Sequence, residues 1–319
     1  MVLAAWILGG LMVFVLGLSY YGSLEMTRIP YFAVPYTPTD FGWDCEEVSF
    51  PSEDGLRLTG WFVPASGQLA DGDPSGQPLH PKGVRAHRAS AITLIVQHGI
   101  GSNHGDMLQN TACLVREGRL NLLYYNFRGH GDSQGRLTSL GPLELLDLAG
   151  ALRFLREKKP HASRRLGIYG HSLGAAVAIV GAARFKQLEA VAAESPFASI
   201  SQTVRLFARI YHGIPYFPYV PLAIFFASLR LRLRLGQFNP VEAISQIAPR
   251  PVFLIQGGRD LRIPMSDFQK LWAAAREPKE RWLVPGADHG DPWLMDREEY
   301  EKRLVGFFKR TLIEKEVAG

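Results

Sequence analysis

Three residues in this sequence could together perform nucleophilic chemistry, and Ser172 is the first of them. Gly170 and Gly174 flank it in a Gly-x-Ser-x-Gly pattern, with an apolar run before the pattern and small helix-forming residues after it. This context predicts a sharp turn between a strand and a helix, where larger residues at the two glycine positions would collide with either element. The serine hydroxyl would then project from the sheet beside the positive end of the helix.

A serine nucleophile needs a base to accept its proton and a group that orients the base. Asp260 and His289 each lie just after a predicted strand. The order Ser172, Asp260, His289 is the order found on α/β-hydrolase folds and differs from the chymotrypsin and subtilisin orders. The pattern therefore predicts acyl transfer by a Ser-His-Asp triad, with Asp260 rather than Asp288 or Asp291 orienting the histidine.

The elements that would position these residues form a repeating strand–helix pattern from Ala91 onward. Such alternation predicts a mostly parallel central sheet with helices on both faces. Functional residues then belong at the carboxyl ends of the strands. Two earlier apolar runs, at 46–50 and 56–64, predict an antiparallel hairpin at a sheet edge.

One segment, at about 197–242, interrupts the alternation and is rich in apolar and aromatic residues. We interpret it as a helical cap inserted over the active site. Leucine and arginine alternate from Leu229 to Leu235, and we expect a helix wrapped in arginine stems there. These arginines could form a solvated face, or they could contact lipid head groups or an anionic substrate.

The amino terminus carries no charged residue from Val2 to Leu24. About 20 apolar residues suffice to cross a bilayer, so residues 1–24 are predicted to be a transmembrane anchor that contacts lipid through residues 2–24. A signal peptide cleaved after Ser19 is the alternative. Residues 25–43 would be a connector and residues 44–315 the hydrolase domain. The anchor is expected to contribute little to the core of that domain. Arg28 is the one nearby basic residue, which leaves the side of the membrane open.

Composition narrows the possible functions further. Apolar residues make up 47% of the chain and charged residues 20%, as in a globular protein. The formal net charge is +5, but the basic residues are dispersed, so no nucleic-acid partner is expected. The two cysteines have no metal-ligand spacing, and no cofactor-binding or metal-binding pattern is found. The oligomeric state stays open.

At this point the chain resembles the α/β-hydrolase superfamily over residues 44–315, and within it the membrane-anchored BEM46-type and serine aminopeptidase-like proteins. The matching stretches are residues 98–99, 126–133, 170–174, 257–260 and 288–290. The resemblance implies that the backbone N–H groups of Leu173 and Ile100 form the oxyanion hole. It also implies that His98 is a structural loop residue, and that His130 and Asp132 support the oxyanion loop.

Three functions remain in competition. The first is hydrolysis of a carboxylic ester (by an esterase, lipase or thioesterase) whose apolar acyl group enters under the aromatic cap. The second is aminopeptidase or amidase activity, which usually requires an acidic cluster for the substrate amine, whereas the cap offers arginine. The third is a catalytically silent binding scaffold, although such chains typically lose a triad member and this one keeps all three.

Overall fold

The computed structural model describes residues 1–30, 33–65 and 90–314 of the chain. The segment 66–89, which its glycine, proline and aspartate content predicts to be a loop, lies outside the described residues.

The centre of the described structure is an eight-stranded sheet in the order β1-β2-β4-β3-β5-β6-β7-β8. The first two strands are antiparallel to their neighbours and form the predicted edge hairpin, while β3 to β8 are parallel. This arrangement confirms the predicted α/β-hydrolase fold. The strands are β1 (Glu46–Pro51), β2 (Arg57–Val63), β3 (Ile92–Gln97), β4 (Asn121–Tyr125), β5 (Arg165–His171), β6 (Leu188–Glu194), β7 (Val252–Gly257) and β8 (Lys279–Val284).

Helices cover both faces of the sheet, and short 3₁₀ turns occur at Pro38–Phe41, His104–Asp106, Leu235–Gln237 and Ile244–Gln246. A π-helical turn, Lys309–Ile313, follows the last α-helix. The α-helices are α1 (Val2–Glu25), α2 (Met107–Arg116), α3 (Glu144–Lys158), α4 (Leu173–Arg184), α5 (Ile200–His212), α6 (Tyr219–Leu231), α7 (Pro240–Ala243), α8 (Met265–Ala274), α9 (Pro292–Met295) and α10 (Arg297–Phe308).

The central strands are buried on both faces because helices pack on each side, which explains their nearly continuous apolar sequences. Leu148 of α3 and Val177 of α4 belong to the core on one side. Leu108 of α2 and Leu304 of α10 belong to the core on the other side. The sheet is thereby held rigidly enough to position side chains that project from its carboxyl edge.

A buried ion pair fixes the loop that follows β4. The Arg128 guanidinium is almost fully buried and donates to both carboxylate oxygens of Asp54 at 2.9 Å and to Asp147 at 2.6 Å. The Asp147 carboxylate also accepts the backbone N–H of Arg128 at 2.9 Å. Because the charges are paired and the donors are satisfied, this loop can pass close to the site without leaving an uncompensated buried cation.

The cap consists of α5, α6 and the short turns that follow them, inserted between β6 and β7. The expected helix over the leucine–arginine alternation is only partly correct. Helix α6 ends at Leu231, and Arg232 adopts a left-handed conformation with φ 55°. The second half of the alternation therefore lies outside the helix. Arg230 is occupied by contacts with α1, whereas Arg232 and Arg234 are exposed.

The amino-terminal helix α1 is long and apolar enough to cross a membrane. The expectation that it contributes little to the core of the hydrolase domain stays a prediction. What the sequence did not predict is a contact with the cap: the carboxyl-terminal part of α1 packs against cap helix α6, and Ser19, Ser23 and the following Thr27 are buried there. No feature of the charge-free helix or of the α/β domain indicated this contact in the sequence.

Candidate active site

Ser172 occupies the sharp turn between β5 and α4 with φ 53° and ψ −113°, a conformation that L-residues rarely adopt. The flanking glycines permit this turn. A Cβ at Gly170 would lie 2.3 Å from the carbonyl oxygen of Gly174, and a Cβ at Gly174 would lie 2.5 Å from that of Gln97. The Ser172 N–H donates to the Glu194 carbonyl at 2.8 Å, which ties the strained residue to β6. Such strain at a serine is typical of a nucleophile elbow.

The loops after β7 and β8 bring Asp260 and His289 to the same edge of the sheet. His289 Nε2 lies 3.0 Å from Ser172 Oγ, and His289 Nδ1 lies 2.8 Å from Asp260 Oδ2. An imidazole with its Nδ1–H donated to a carboxylate presents Nε2 as an acceptor. Ser172 Oγ can therefore donate its proton directly to His289.

Several donors hold the Asp260 carboxylate in place. Oδ1 accepts the backbone N–H groups of Arg262 at 2.9 Å and Ile263 at 2.8 Å, and Oδ2 accepts the Gln256 side-chain amide at 3.0 Å. Burial would raise the pKa of Asp260, but the hydrogen bond and charge of His289 and the Ile263 N–H outweigh it and lower the pKa below its usual value. The carboxylate is thus held ionised beside the imidazole.

Two other acidic residues lie close to His289 in sequence, and neither has a hydrogen bond to its ring among the described contacts. Asp288 Oδ1 instead accepts the backbone N–H of His289 at 2.7 Å. Asp291 follows two residues later, directly before α9. Imidazole Nδ1 is already bonded to Asp260.

Leu173 and Ile100 both line the cavity that contains Ser172. Within the described residues, neither amide donates a hydrogen bond to a protein acceptor. Leu173 begins helix α4, whose positive end points into the site. A Cβ on Gly99, next to Ile100, would lie 3.2 Å from the Ser172 Cβ, so this loop passes directly beside the serine.

Two histidines support the loop that carries Ile100. His98 is fully buried, with Nδ1 2.7 Å from the Gly99 carbonyl oxygen, and its Nε2 accepts the Phe127 N–H at 3.1 Å. His130 Nε2 accepts the Gly101 N–H at 3.3 Å. Asp132 does not take part, because its side chain is exposed and only its carbonyl oxygen forms a described contact, with Arg57. The expectation that Asp132 supports the loop is therefore wrong.

His171 was missed by sequence reasoning because it occupies a variable position of the Gly-x-Ser-x-Gly pattern. Its ring lies 5.0 Å from that of His289, and its Nε2 is shielded from solvent without a described partner. Burial, assisted by His289, lowers the pKa of His171 to about 3. A neutral His171 places no positive charge beside the ring of His289. A Cβ at Gly290, which has φ 78°, would lie 3.1 Å from His171 Nε2.

A buried carboxyl group behind the triad was also missed. Glu194 Oε2 accepts the hydroxyl groups of Tyr169 at 2.8 Å and Tyr300 at 2.9 Å, and burial raises the pKa of Glu194. The two tyrosines come from β5 and α10, so this network joins the elbow strand to the last long helix. The position of Glu194 at the carboxyl end of β6 could have marked it as a candidate functional residue. No pattern in the sequence linked it to the two tyrosines, which lie far from it in the chain.

The triad opens into a cavity of about 700 Å³, a size typical of small-ligand sites. Most of its wall is apolar. Contributions come from the cap, including Phe207, Tyr211 and Ala223, and also from α1, including Leu18 and Gly22. The predicted cap therefore covers the site, and the amino-terminal helix forms an unpredicted part of the wall. Among the described residues, no group of three or more His, Cys, Asp or Glu side chains could hold a metal ion.

The fold and the arrangement at its carboxyl edge define an α/β hydrolase. The model of the Alpha/beta hydrolase family matches residues 94–303, and the chain belongs to this family.

Relatives and solved structures agree with this assignment. The chain is 30% identical over 271 residues to the uncharacterized protein YqkD of Bacillus subtilis, covering 84% of each chain. It is 25% identical over 287 residues to the alpha/beta hydrolase domain-containing protein WAV2 of Arabidopsis thaliana, covering 88% of this chain and 84% of that one. Among solved structures, the esterase Pf2001 of Pyrococcus furiosus superposes with a TM-score of 0.70 at 26% identity, covering 90% of this chain and 98% of the esterase.

Proposed function

We propose that this protein is a serine hydrolase that cleaves carboxylic esters with apolar acyl groups, using Ser172, His289 and Asp260. The observation that carries the proposal is the hydrogen-bonded series from Ser172 Oγ through His289 to Asp260 at the floor of an apolar cavity. The similarity to a solved esterase supports the same reaction class.

In the proposed reaction, Ser172 Oγ attacks the ester carbonyl carbon while its proton moves to His289 Nε2. The carbonyl oxygen becomes an oxyanion stabilised by the N–H groups of Leu173 and Ile100. When the tetrahedral intermediate collapses, the bond to the alcohol oxygen breaks, His289 donates its proton to that oxygen, and the alcohol leaves. Water then attacks the acyl-enzyme, again giving a proton to His289, and collapse returns that proton to Ser172 and releases the carboxylic acid.

The charges around the cavity favour an ester over a substrate with a free amine. Two carboxylates border the cavity, Glu25 and Asp106, and both have local partners. Asp106 accepts the Ser102 hydroxyl at 2.7 Å and the Asn103 N–H at 3.1 Å. Glu25 lies 3.6 Å from the Arg28 guanidinium. No acidic cluster aimed into the cavity is found among the described residues, so aminopeptidase activity is the weaker candidate.

We expect the wild-type protein to hydrolyse p-nitrophenyl esters at least about 100-fold faster, in kcat/KM, than aminoacyl p-nitroanilides, a difference of roughly 2.7 kcal/mol in transition-state stabilisation. A panel of esters from two to sixteen carbons, measured beside alanyl, leucyl and lysyl anilides, gives this ratio. Heat-inactivated protein serves as the control. Faster turnover of the anilides would replace the ester assignment with an aminopeptidase or amidase, and no turnover of either class would favour a binding scaffold.

We also propose that α1 anchors the protein in a membrane. Its length and apolar composition support an anchor, and so does its packing on the cap, because removal after Ser19 would uncover part of the cavity. Full-length protein is expected to stay in the membrane pellet after a carbonate wash and to keep its original amino terminus by mass spectrometry. Release into the supernatant, or a terminus beginning at Tyr20, would contradict the anchor and support a signal peptide.

A further inference from the structure

Helix α1 has two parts with different surroundings. From Val2 to Leu16 its large apolar side chains are widely exposed, with Trp6 76% and Phe14 60% accessible. From Leu18 onward the helix meets the rest of the protein, and Ser19 and Ser23 are buried. A helix whose uncharged apolar first part is bare, while its last part is packed against the protein, is suited to projecting into an apolar medium.

The packed part of α1 is attached to cap helix α6 by specific contacts. The ring of Tyr20 meets that of Phe226 edge-on with centroids 5.7 Å apart. The Arg230 guanidinium donates to the Ser23 carbonyl at 2.8 Å and to the Ser23 hydroxyl at 3.2 Å. Hydrogen bonds from a charged, half-buried donor to a helix carbonyl are stronger than neutral ones, so these contacts hold α1 against the cap.

The same part of α1 also forms a wall of the catalytic cavity. Leu18, Ser19, Gly22 and Met26 line the cavity that contains Ser172. The hydroxyl of Ser19 donates to the Val15 carbonyl at 2.7 Å, which leaves a mainly apolar surface along this side of the helix. An acyl chain bound at Ser172 can therefore extend between α1 and the cap.

The length of α1 places this wall at a membrane boundary. At about 1.5 Å per residue, the 24-residue helix is about 36 Å long and its exposed first part, Val2 to Leu16, about 22 Å, most of a hydrocarbon core about 30 Å thick. Leu18 to Met26 then lie where the helix leaves the hydrocarbon. Exposed apolar side chains of the cap continue this surface, including Tyr211, Phe225 and Leu229, which are 56%, 58% and 65% accessible.

We propose that the segment Leu18–Met26 of α1 is the acyl-chain wall of the active site, and that the substrate is a long-chain lipid ester taken from the bilayer in which α1 is embedded. This inference rests on the proposed ester hydrolysis and adds its substrate class and entry route. The lipid reaches the cavity along α1, so its acyl chain passes from the bilayer core to Ser172 without crossing water.

Two matched pairs of variants test the wall. Gly22→Leu and Leu18→Trp add bulk at positions of α1 that line the cavity, and a Cβ at Gly22 would lie 3.6 Å from the Cβ of Ala223 on α6. Gly17→Leu and Leu16→Trp make the same changes at neighbouring positions that do not line the cavity, and a Cβ at Gly17 meets no atom within 4 Å. The measurement is kcat/KM in detergent for the sixteen-carbon and four-carbon p-nitrophenyl esters. We expect the long-to-short ratio to fall at least about tenfold in both cavity variants and to change less than about twofold in both controls.

The entry route is tested with wild-type protein in vesicles of neutral phospholipid. This experiment does not depend on the folding of any variant. A long-chain 4-methylumbelliferyl ester is placed either in the vesicles that hold the enzyme or in separate vesicles mixed with them. We expect at least about tenfold faster initial turnover when both share one bilayer. Equal rates would overturn the bilayer route, and equal ratios in the cavity and control variants would overturn the wall.

Hydrolysis of the four-carbon ester separates these failures from failure of the proposed function. If the wild type cleaves the four-carbon ester and Ser172→Ala does not, ester hydrolysis by Ser172 is supported. This conclusion does not depend on the ratio of long-chain to short-chain activity. If wild type cleaves no ester, the proposed function itself fails. If both cavity variants lose even the four-carbon activity, the vesicle comparison on wild type still decides whether the substrate comes from the shared bilayer.

Discussion

Replacement of Ser172 by alanine is expected to reduce ester hydrolysis by about six orders of magnitude in kcat, as removal of the nucleophile does in subtilisin. This loss corresponds to roughly 8 kcal/mol of activation free energy. The variant keeps the cavity and the backbone amides of Leu173 and Ile100, but it lacks the hydroxyl oxygen that lies 3.0 Å from His289 Nε2 in the wild type. Steady-state hydrolysis of the four-carbon p-nitrophenyl ester measures the effect.

A half-buried serine away from the cavity provides the control for this change. Ser201 lies on cap helix α5 and does not border the cavity. Ser201→Ala is expected to retain wild-type kcat within about twofold, a difference of roughly 0.4 kcal/mol. Ser172→Ala with more than a tenth of wild-type kcat, in protein with an unchanged circular dichroism spectrum, would remove Ser172 from the mechanism.

Replacement of Asp260 by asparagine is expected to lower kcat by three to four orders of magnitude, with KM little changed, since loss of the orienting carboxylate in a serine-protease triad costs about 10⁴. The surroundings dictate how asparagine must sit. The two backbone N–H groups of Arg262 and Ile263 require an oxygen at Oδ1. Among the described contacts, Oδ2 accepts only the side-chain amide of Gln256 besides His289, and that amide can turn its unpaired oxygen toward a nitrogen, so the amide nitrogen of asparagine takes the place of Oδ2. It then donates to His289 Nδ1, which puts the remaining proton on Nε2 and prevents that nitrogen from accepting the serine proton.

The neighbouring carboxylates supply matched controls for Asp260. Asp288→Asn and Asp291→Asn should each stay within about tenfold of wild-type kcat, a change of at most about 1.4 kcal/mol. Neither carboxylate has a described hydrogen bond to the His289 ring, and Asp288 accepts the backbone N–H of His289 instead. Nearly full activity in Asp260→Asn together with a large loss in either neighbour would transfer the orienting role to that residue.

Much of the fold could be predicted because its signals are local. The central strands are continuous apolar runs, and α10 carries Tyr300, Leu304, Phe307 and Phe308 at helical spacing, all of which are buried. The turn at Ser172 could be predicted from the two flanking glycines, because any larger residue at either position would collide with the backbone. Asp260 and His289 could be chosen because parallel strands bring their carboxyl ends to one edge of a sheet.

Other features depend on contacts between distant parts of the chain and left no local signal. The attachment of α1 to the cap joins residues about 200 positions apart, as in the bond from Arg230 to Ser23. Ser19 and Ser23 interrupt the apolar run, but serine is compatible with a simple membrane span. The end of α6 was also hidden, because period-two alternation of leucine and arginine does not show where a helix stops. The division of the chain into anchor, connector and hydrolase domain remains a prediction.

Covalent trapping of the nucleophile shows directly whether Ser172 is the catalytic serine. Wild-type protein in detergent is treated with a fluorophosphonate, digested, and sequenced by tandem mass spectrometry, beside Ser172→Ala treated in the same way. We expect one phosphonylated residue in the wild type, Ser172, with loss of ester hydrolysis in proportion to labelling and no adduct in Ser172→Ala. An adduct on another residue that accompanies the loss of activity, or equal labelling of both proteins, would contradict this expectation.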